Sequence, residues 1–181
     1  TSLRFLQTHR HVVVLGPVGV GKTFISQALG HLACAHGYHV RFIRADDMLR
    51  RLKQSRFDNS RDAEMIALTT VDMLILDDFA IEPMSKEESR DVYQLFLERT
   101  GHASTIITSN RDTSEWIAMF DDVLLAQSAV DRFKNAAYDF VMEGESYRSR
   151  LKPKLDASDA PPPAPAPKPK LHPRSRARRR R

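Results

Sequence analysis

The apolar positions of this chain fall into two kinds of segment that alternate along it. Five short runs predict β-strands, because they are rich in β-branched residues and bounded by polar or glycine positions; they are residues 12–15, 39–44, 71–76, 104–108 and 138–142. Between them lie segments with apolar residues at helical spacing, chiefly 23–36, 48–52, 63–68, 85–99 and 124–135. This alternation predicts an α/β fold with a five-stranded parallel sheet between two helical layers.

Local signals define the ends and faces of some helices. Glycine at 37 predicts the end of the first long helix, and Ser85 followed by Glu88 has the spacing of a capping box. In that first helix we expect the apolar residues to face the sheet; they are Phe24, Ile25, Ala28, Leu29 and Leu32. Cys34, the single cysteine, is interpreted as a small buried packing residue and suits a reducing cytoplasm.

The first predicted strand runs into a glycine-rich loop that opens a helix. The loop has the pattern of a phosphate-binding loop, or Walker A motif, and comprises Gly16, Pro17, Val18, Gly19, Val20, Gly21, Lys22 and Thr23. Its glycines let consecutive N–H groups turn toward one phosphate, and the helix N-terminus adds positive partial charge. We expect the lysine to reach the β- and γ-phosphates of ATP and the threonine hydroxyl to bind Mg2+. A ligand-free glycine turn is the alternative interpretation.

Two acids follow the third predicted strand, at Asp77 and Asp78. Acids at the end of a buried strand are costly unless they serve a cation or a hydrogen-bond network. After a phosphate-binding loop this pattern indicates a Walker B strand, in which Asp77 holds Mg2+ through water and Asp78 orients or deprotonates the attacking water. A helix cap or a turn would explain the same two acids without a ligand.

Three further polar positions have ordinary explanations when each is taken alone. Asn110 follows the fourth predicted strand, where an amide can contact the γ-phosphate and the lytic water, but Ser-Asn after a strand is also a common turn. Arg132 follows an aspartate in the last long helix, and Arg148 ends the stretch Gly-Glu-Ser-Tyr-Arg. Isolated arginines are usually solvated.

The charge of the chain is unevenly distributed. The net charge is +5, but residues 153–181 contain nine Lys and Arg and only two Asp, which leaves residues 1–152 slightly acidic. The proline-rich run at 161–169 and the arginines at 174–181 predict an extended, disordered tail from about residue 154. The sequence contains no run of 18 apolar residues, so no membrane-spanning helix is predicted. A DNA-binding patch or a solvated basic face would equally explain the local cluster Arg41, Arg44, Arg50, Arg51, Lys53 and Arg56.

Taken together, these stretches resemble the AAA+ ATPases. Within that group the chain is similar to the insertion-sequence helper ATPases (IstB-like), which are related to the bacterial helicase loaders (DnaC-like). The resemblance covers about residues 10–150 and is carried by 16–23, Gly-Tyr-His-Val-Arg-Phe at 37–42, Ser-Thr-Ile-Ile-Thr-Ser-Asn at 104–110, Glu-Trp at 115–116, Asp-Arg-Phe at 131–133, and 144–148.

The resemblance implies specific roles and partners. It implies that Asn110 is sensor 1, that Arg132 is an arginine finger reaching a neighbouring subunit, and that Arg148 is sensor 2 acting within its own subunit. It further implies an AAA+ domain over residues 1–153 with a tail over 154–181, ATP and Mg2+ as cofactors, and DNA, a transposase and further copies of the chain as partners.

Two departures from the family pattern keep alternatives open. The family typically carries an additional amino-terminal region that this sequence lacks, so we expect a fragment or a lost segment. Asp78 stands where many relatives have Glu, a longer acid, which leaves a non-hydrolysing nucleotide-binding scaffold possible. A replicative helicase loader is the close functional alternative. A small-molecule kinase is the distant one, because nucleotide kinases also begin with this loop.

Overall fold

The computed structural model describes residues 3–148 and confirms the predicted α/β architecture. Five parallel strands form one sheet in the order β2-β3-β4-β1-β5. They span His11–Leu15 (β1), Val40–Arg44 (β2), Met73–Asp77 (β3), Ser104–Ser109 (β4) and Ala137–Val141 (β5). The predicted disordered tail and the boundary at 153/154 lie outside the described residues and stay predictions.

Within residues 3–148, six α-helices and one 3-10 helix connect and cover the strands. The α-helices are Arg4–Gln7 (α1), Lys22–Ala35 (α2), Ala45–Ser55 (α3), Arg61–Thr69 (α4), Lys86–Arg99 (α5) and Val123–Asn135 (α6), and the 3-10 helix is Glu115–Met119. The capping box of α5 is confirmed, since Ser85 and Glu88 exchange backbone and side-chain hydrogen bonds. No helix of residues 3–148 is long and apolar enough to cross a membrane.

The two faces of the sheet bury separate apolar clusters, because successive side chains of a strand point to opposite sides. In β1, Val13 packs with residues of α3 to α6, and Val14 packs with residues of α1 and α2. In β3 the same alternation separates Leu74 from Ile75. The result is the predicted three-layer arrangement, with one helical layer much larger than the other.

The predicted sheet-facing side of α2 is only partly right. Phe24 is 76% exposed and Ala28 is exposed as well, whereas Ser26, Gly30 and Ala33 are buried. The contact uses small residues because the helix lies close to the sheet: a Cβ on Gly30 would stand 2.8 Å from Cδ1 of Ile75. Packing distance, and not hydrophobicity alone, selects the buried face. Cys34 is also exposed, so its interpretation as a buried residue was wrong.

A buried basic pair organises the amino-terminal edge of the sheet. Arg99, at the end of α5, is 1% exposed and donates hydrogen bonds to the carbonyl oxygens of Leu68 and Thr69, the last residues of α4, and of Val71 beyond it. His11, the first residue of β1, is fully buried and stacks on Phe133 of α6, with ring centroids 4.4 Å apart. These contacts fix the ends of three helices against the start of the sheet.

The protonation state of His11 follows from its surroundings. Its Nδ1 accepts a hydrogen bond from the backbone N–H of Thr105 at 3.1 Å, which requires that nitrogen to be unprotonated. Burial, together with the positive charges of Arg99 and Arg10, lowers the pKa of His11 from 6.5 to about 4. The imidazole is therefore neutral at physiological pH.

Candidate functional site

The glycine-rich loop connects β1 to α2 and is covered by a later part of the chain. Gly19 has φ +86°, and a Cβ there would collide with the hydroxyl of Ser146. The backbone N–H of Tyr147 donates to the carbonyl oxygen of Gly19 at 2.9 Å. The segment 144–147 thus lies across the loop, and glycine is required at position 19 both by its backbone angle and by this close approach.

Lys22, the first residue of α2, points back over the loop. Its Nζ donates hydrogen bonds to the carbonyl oxygens of Gly16 at 2.8 Å and Pro17 at 2.9 Å, and to Oδ1 of Asn110 at 2.5 Å. Burial lowers the pKa of the Lys22 ammonium, whereas the charges of Asp78 and Asp77 act in the opposite direction. The predicted phosphate lysine and the predicted sensor amide are therefore in direct contact.

The hydroxyl of Thr23 lies against the carboxylate of Asp77. Its Oγ1 is 3.0 Å from each carboxylate oxygen, and Asp77 is only 4% exposed. A hydroxyl and a carboxylate are hard oxygen ligands of the kind Mg2+ prefers, so these two residues fit the predicted ion. Within residues 3–148 no cluster of three or more His, Cys, Asp or Glu could hold a metal, so an ion here would take its other ligands from phosphate and water.

Asp78 occupies a tight turn directly after β3. Its φ is +56°, which is uncommon for a residue with a Cβ, and its backbone N–H donates to the hydroxyl of Thr108 at 3.0 Å. One carboxylate oxygen lies 3.8 Å from a guanidinium nitrogen of Arg44, at the end of β2. The Asp78 side chain thus lies near the end of β2, the edge strand of the sheet, and is 31% exposed.

Sequence reasoning missed the hydroxyl groups of β4 that support this turn. Thr108 and Ser109 are fully buried, and the Ser109 hydroxyl donates to the carbonyl oxygen of Phe79 at 2.9 Å. The indole N–H of Trp116 donates to the same hydroxyl at 3.2 Å, so the 3-10 helix is tied to the site. The signal was present: hydroxyl residues in a buried strand need a partner, and their neighbours in space are the acids of β3.

The predicted arginines lie in two different places. Arg148 is exposed, yet its positive charge is close enough to lower the pKa of Lys22. Arg132 is exposed in the last turn of α6, five residues before β5 begins, and lines a shallow surface pocket with Thr100 at the end of α5. That position is the amino-terminal edge of the sheet, one strand length of roughly 16 Å from the glycine-rich loop. Arg132 therefore does not join the cluster of its own subunit.

Most of the predicted basic patch is engaged in ion pairs. Arg41 contacts Glu64 at 2.5 Å, Arg44 contacts Asp46 at 3.2 Å, Arg50 pairs with Asp47, and Arg56 contacts Asp91 at 2.6 Å. No carboxylate within residues 3–148 pairs with Arg51 or Lys53. The patch offers fewer free cations than its sequence suggested, since these pairs neutralise four of the six.

Asp91 is the centre of a buried ionic cluster on α5. Its side chain is 3% exposed and accepts from Arg56 at 2.6 Å and from Arg61 at 2.7 Å. Arg61 also donates to Gln94. Because Arg56 follows α3 and Arg61 begins α4, a single carboxylate fixes the connection between these two helices.

Comparison with known proteins is consistent with this geometry. A family model described as IstB-like ATP binding protein matches residues 1–155. A protein from Mycobacterium tuberculosis, named as an ATP-binding protein in an insertion sequence, is 38% identical over 154 residues, which are 84% of this chain and 61% of the relative. The protein named for insertion sequence IS21 of Pseudomonas aeruginosa is 35% identical over 153 residues, covering 84% and 58%.

A solved structure shares the fold. The crystal structure of the DnaC helicase loader superimposes with a TM-score of 0.67 at 20% identity, covering 77% of this chain and 85% of that one. The chain spans about three fifths of the length of the two sequence relatives. The roles assigned to the site residues from sequence stay predictions, although Lys22, Thr23, Asp77, Asp78 and Asn110 are brought together.

Proposed function

Because the chain belongs to the family of IstB-like ATP binding proteins, we propose that it is an ATP-hydrolysing helper of an insertion-sequence transposase. In this proposal ATP drives assembly of several copies on DNA, and Mg2+-dependent hydrolysis accompanies target selection or handover to the transposase. The names of the sequence relatives, which refer to insertion sequences and ATP binding, favour this function over helicase loading.

One observation carries the ATPase part of the proposal: a lysine ammonium, a carboxylate and a side-chain amide meet at the carboxyl ends of three adjacent strands. The end of β1 supplies Lys22, the end of β3 supplies Asp77, and the end of β4 supplies Asn110. These strands are neighbours in the sheet. In open α/β sheets, ligands bind in the crevice at the carboxyl ends of such strands. The lysine would exchange its loop carbonyls for β- and γ-phosphate oxygens when a nucleotide binds.

The residues divide the hydrolytic step between them. Thr23 and Asp77 would hold Mg2+, which when bound neutralises phosphate charge. Asp78 would accept a proton from the attacking water. The oxygen of that water bonds to the γ-phosphorus while the bond from the γ-phosphorus to the β–γ bridging oxygen breaks, and ADP leaves with that oxygen. Asn110 would orient that water, and its contact with Lys22 couples the two groups nearest the γ-phosphate.

The direct experiment is the ATPase rate of the full chain with and without DNA, recorded together with particle size. We expect Mg2+-dependent turnover that DNA increases as the particles grow. Lys22→Ala should abolish ATP binding, since one cation and its oriented contacts are lost, and Asp77→Asn should keep much of the affinity but lose turnover. Unchanged ATP affinity in the Lys22 variant would contradict the assignment of the loop.

The position of Arg132 supports a site shared between subunits. A cation arriving from another subunit can stabilise the charge of the transferred phosphoryl group, an effect worth about 10³- to 10⁵-fold in rate elsewhere. Arg132→Ala should bind ATP normally and hydrolyse it poorly, as should Asp78→Asn. Mixing the two variants pairs an intact arginine with an intact acid at some interfaces, so activity should reappear. No recovery in mixtures that co-assemble would place Arg132 outside the reaction.

For DNA the proposal relies on two cations of α3 that have no ion pair within the described residues, and on the arginines of the predicted tail. Arg51 and Lys53 are exposed on α3, and the arginines at 174–181 lie outside the described residues. Deleting residues 154–181 should weaken DNA binding and flatten the plot of log affinity against log salt, because fewer counterions are released. Basal ATPase activity should remain. An identical salt slope after deletion would exclude the tail from DNA binding.

The transposase and helicase-loader functions predict different partners. A transposase encoded beside this chain should bind the ATP-loaded protein, and a replicative helicase should not. Pull-down of each purified partner by the ATP-loaded chain separates the two. Binding of the helicase alone would favour the loader.

A further inference from the structure

Thr108 contacts both predicted Walker B acids through one hydroxyl group. The residue is fully buried in β4. Its Oγ1 donates to Oδ1 of Asp77 at 2.5 Å and accepts from the backbone N–H of Asp78 at 3.0 Å. The carbonyl oxygen of the same residue accepts from the N–H of Phe79 at 2.9 Å. Three consecutive residues, the last of β3 and the two that follow it, are therefore held by one threonine.

These hydrogen bonds hold a turn whose backbone angles are unfavourable for residues with a Cβ. Asp78 has φ +56° and Ala80 has φ +60°, and neither is glycine. Such angles persist only where surrounding contacts over-determine them. Because the Asp78 N–H is bound to Thr108, the hydroxyl helps to keep the turn that directs the Asp78 side chain.

The same hydroxyl also selects the orientation of Asp77. Among the described residues, that carboxylate accepts hydrogen bonds from the hydroxyls of Thr23, at the start of α2, and Thr108, in β4. Oδ1 accepts from both hydroxyls, whereas among the described residues Oδ2 accepts only from Thr23, so Oδ2 keeps a lone pair for an ion. Hydroxyl groups that bind a metal-binding carboxylate in this way restrict its rotation.

We propose that Thr108 is a positioning residue for the nucleotide site, which orients Asp77 directly and Asp78 through its backbone. Because its side chain is fully buried, it acts on the nucleotide through these two acids. The proposal rests on the ATP function above, and it adds that the strength of Mg2+ coupling depends on one buried hydroxyl of β4. Loss of the hydroxyl should weaken the binding of Mg2+ with ATP by about 10- to 100-fold, the range typical of partners behind a metal ligand.

The test compares Thr108→Val, which removes the hydroxyl at nearly constant shape, with Thr108→Ser, which keeps it. The affinity of the full chain for a fluorescent ATP analogue is measured in EDTA and in saturating Mg2+, beside the Mg2+ concentration for half-maximal ATPase rate. In the valine variant, the affinity for the ATP analogue in EDTA should stay within about twofold of the wild type. The increase in that affinity on adding Mg2+ should be smaller than in the wild type. The serine variant should resemble the wild type.

Thr105→Val is the matched control. Thr105 lies on the same strand, is 1% exposed, and uses its hydroxyl for Arg99 at 2.8 Å, at the opposite edge from the nucleotide site. The Thr105→Val variant should be less stable than the wild type but should show the same increase in ATP-analogue affinity on adding Mg2+. If Thr108→Val does not fold, Thr108→Cys replaces it, because a thiol is a weak donor and acceptor.

The possible results separate this proposal from the ATPase proposal. An unchanged Mg2+ gain in Thr108→Val, or an equal loss in Thr105→Val, would overturn the positioning role. A wild-type chain whose ATP affinity ignores Mg2+ would also overturn it. A wild type that binds ATP more tightly with Mg2+ but never hydrolyses it would contradict the ATPase function and leave the Thr108 comparison decisive.

Discussion

His11 makes a quantitative prediction about stability and pH. In the folded chain its pKa is about 4, against 6.5 for the unperturbed group. A depressed histidine pKa means that the unfolded state binds the proton more readily, so stability is fully present above pH 6.5 and is lost as the pH falls toward 4. Between pH 7.5 and pH 5 the loss from this one group is about 2 kcal/mol.

The assay is urea unfolding of the full chain at the two pH values, with His11→Asn as the comparison. Asparagine keeps an acceptor for the N–H of Thr105 but does not titrate in this range. The variant should be less stable at both pH values, because the ring that stacks on Phe133 is gone. Its decline from pH 7.5 to pH 5 should be smaller than that of the wild type by about 2 kcal/mol.

Other titrating groups are common to both proteins, so they cancel in the difference. A thermal scan gives the same information, with an extra shift of the wild-type midpoint by roughly 6 °C. Equal declines in the two proteins would refute the reasoning, since they would mean that His11 gains a proton in the fold as easily as in the unfolded chain.

Two further substitutions test other contacts. Asp91→Asn should lower the free energy of unfolding in urea by about 3 kcal/mol, because it leaves Arg56 and Arg61 without their buried counter-charge. Asp62→Asn removes an exposed partner of Arg61 and should change stability by less than about 0.5 kcal/mol. Similar losses in the two variants would show that burial does not matter there. Gly19→Ala should destabilise the loop by about 1–3 kcal/mol and weaken ATP binding in titration calorimetry, since a Cβ meets Ser146 at a positive φ, and wild-type affinity would contradict this account of the loop.

The strands and the phosphate loop could be predicted from sequence because their signals are local. A short β-branched run, a glycine spacing and a capping box each occupy a few consecutive residues; the strands, the helix after the glycine loop and the capping box were confirmed at nearly the expected positions, and the phosphate-binding role of the loop stays a prediction. The short helix α1 was not predicted, since four residues carry too little periodicity. The buried face of α2 was partly missed, because glycine at 30 contacts Ile75 only through the closeness of two elements that are far apart in sequence.

The charge pattern failed for the same reason. Arg56 appeared as part of a basic cluster on the second strand and its helix, but its partner Asp91 lies 35 residues later on α5. Arg99, the last residue of the predicted helix 85–99, is a buried cation that binds carbonyl groups at the end of α4, a partner about 30 residues earlier in the chain. Pairing across elements decides whether a cation is free, and one sequence does not contain that information.

The separation between the glycine-rich loop and Arg132 has a consequence for assembly symmetry. If Arg132 completes the site of a neighbouring subunit, each subunit presents a donor surface at the amino-terminal edge of its sheet and an acceptor surface at the opposite edge. Such a contact joins two different surfaces, which suits a head-to-tail arrangement, because a two-fold dimer would need both pairs of opposite ends to meet across one interface. Repetition of the contact produces a closed ring or an open helical filament, and the last subunit of a filament retains one site without its arginine.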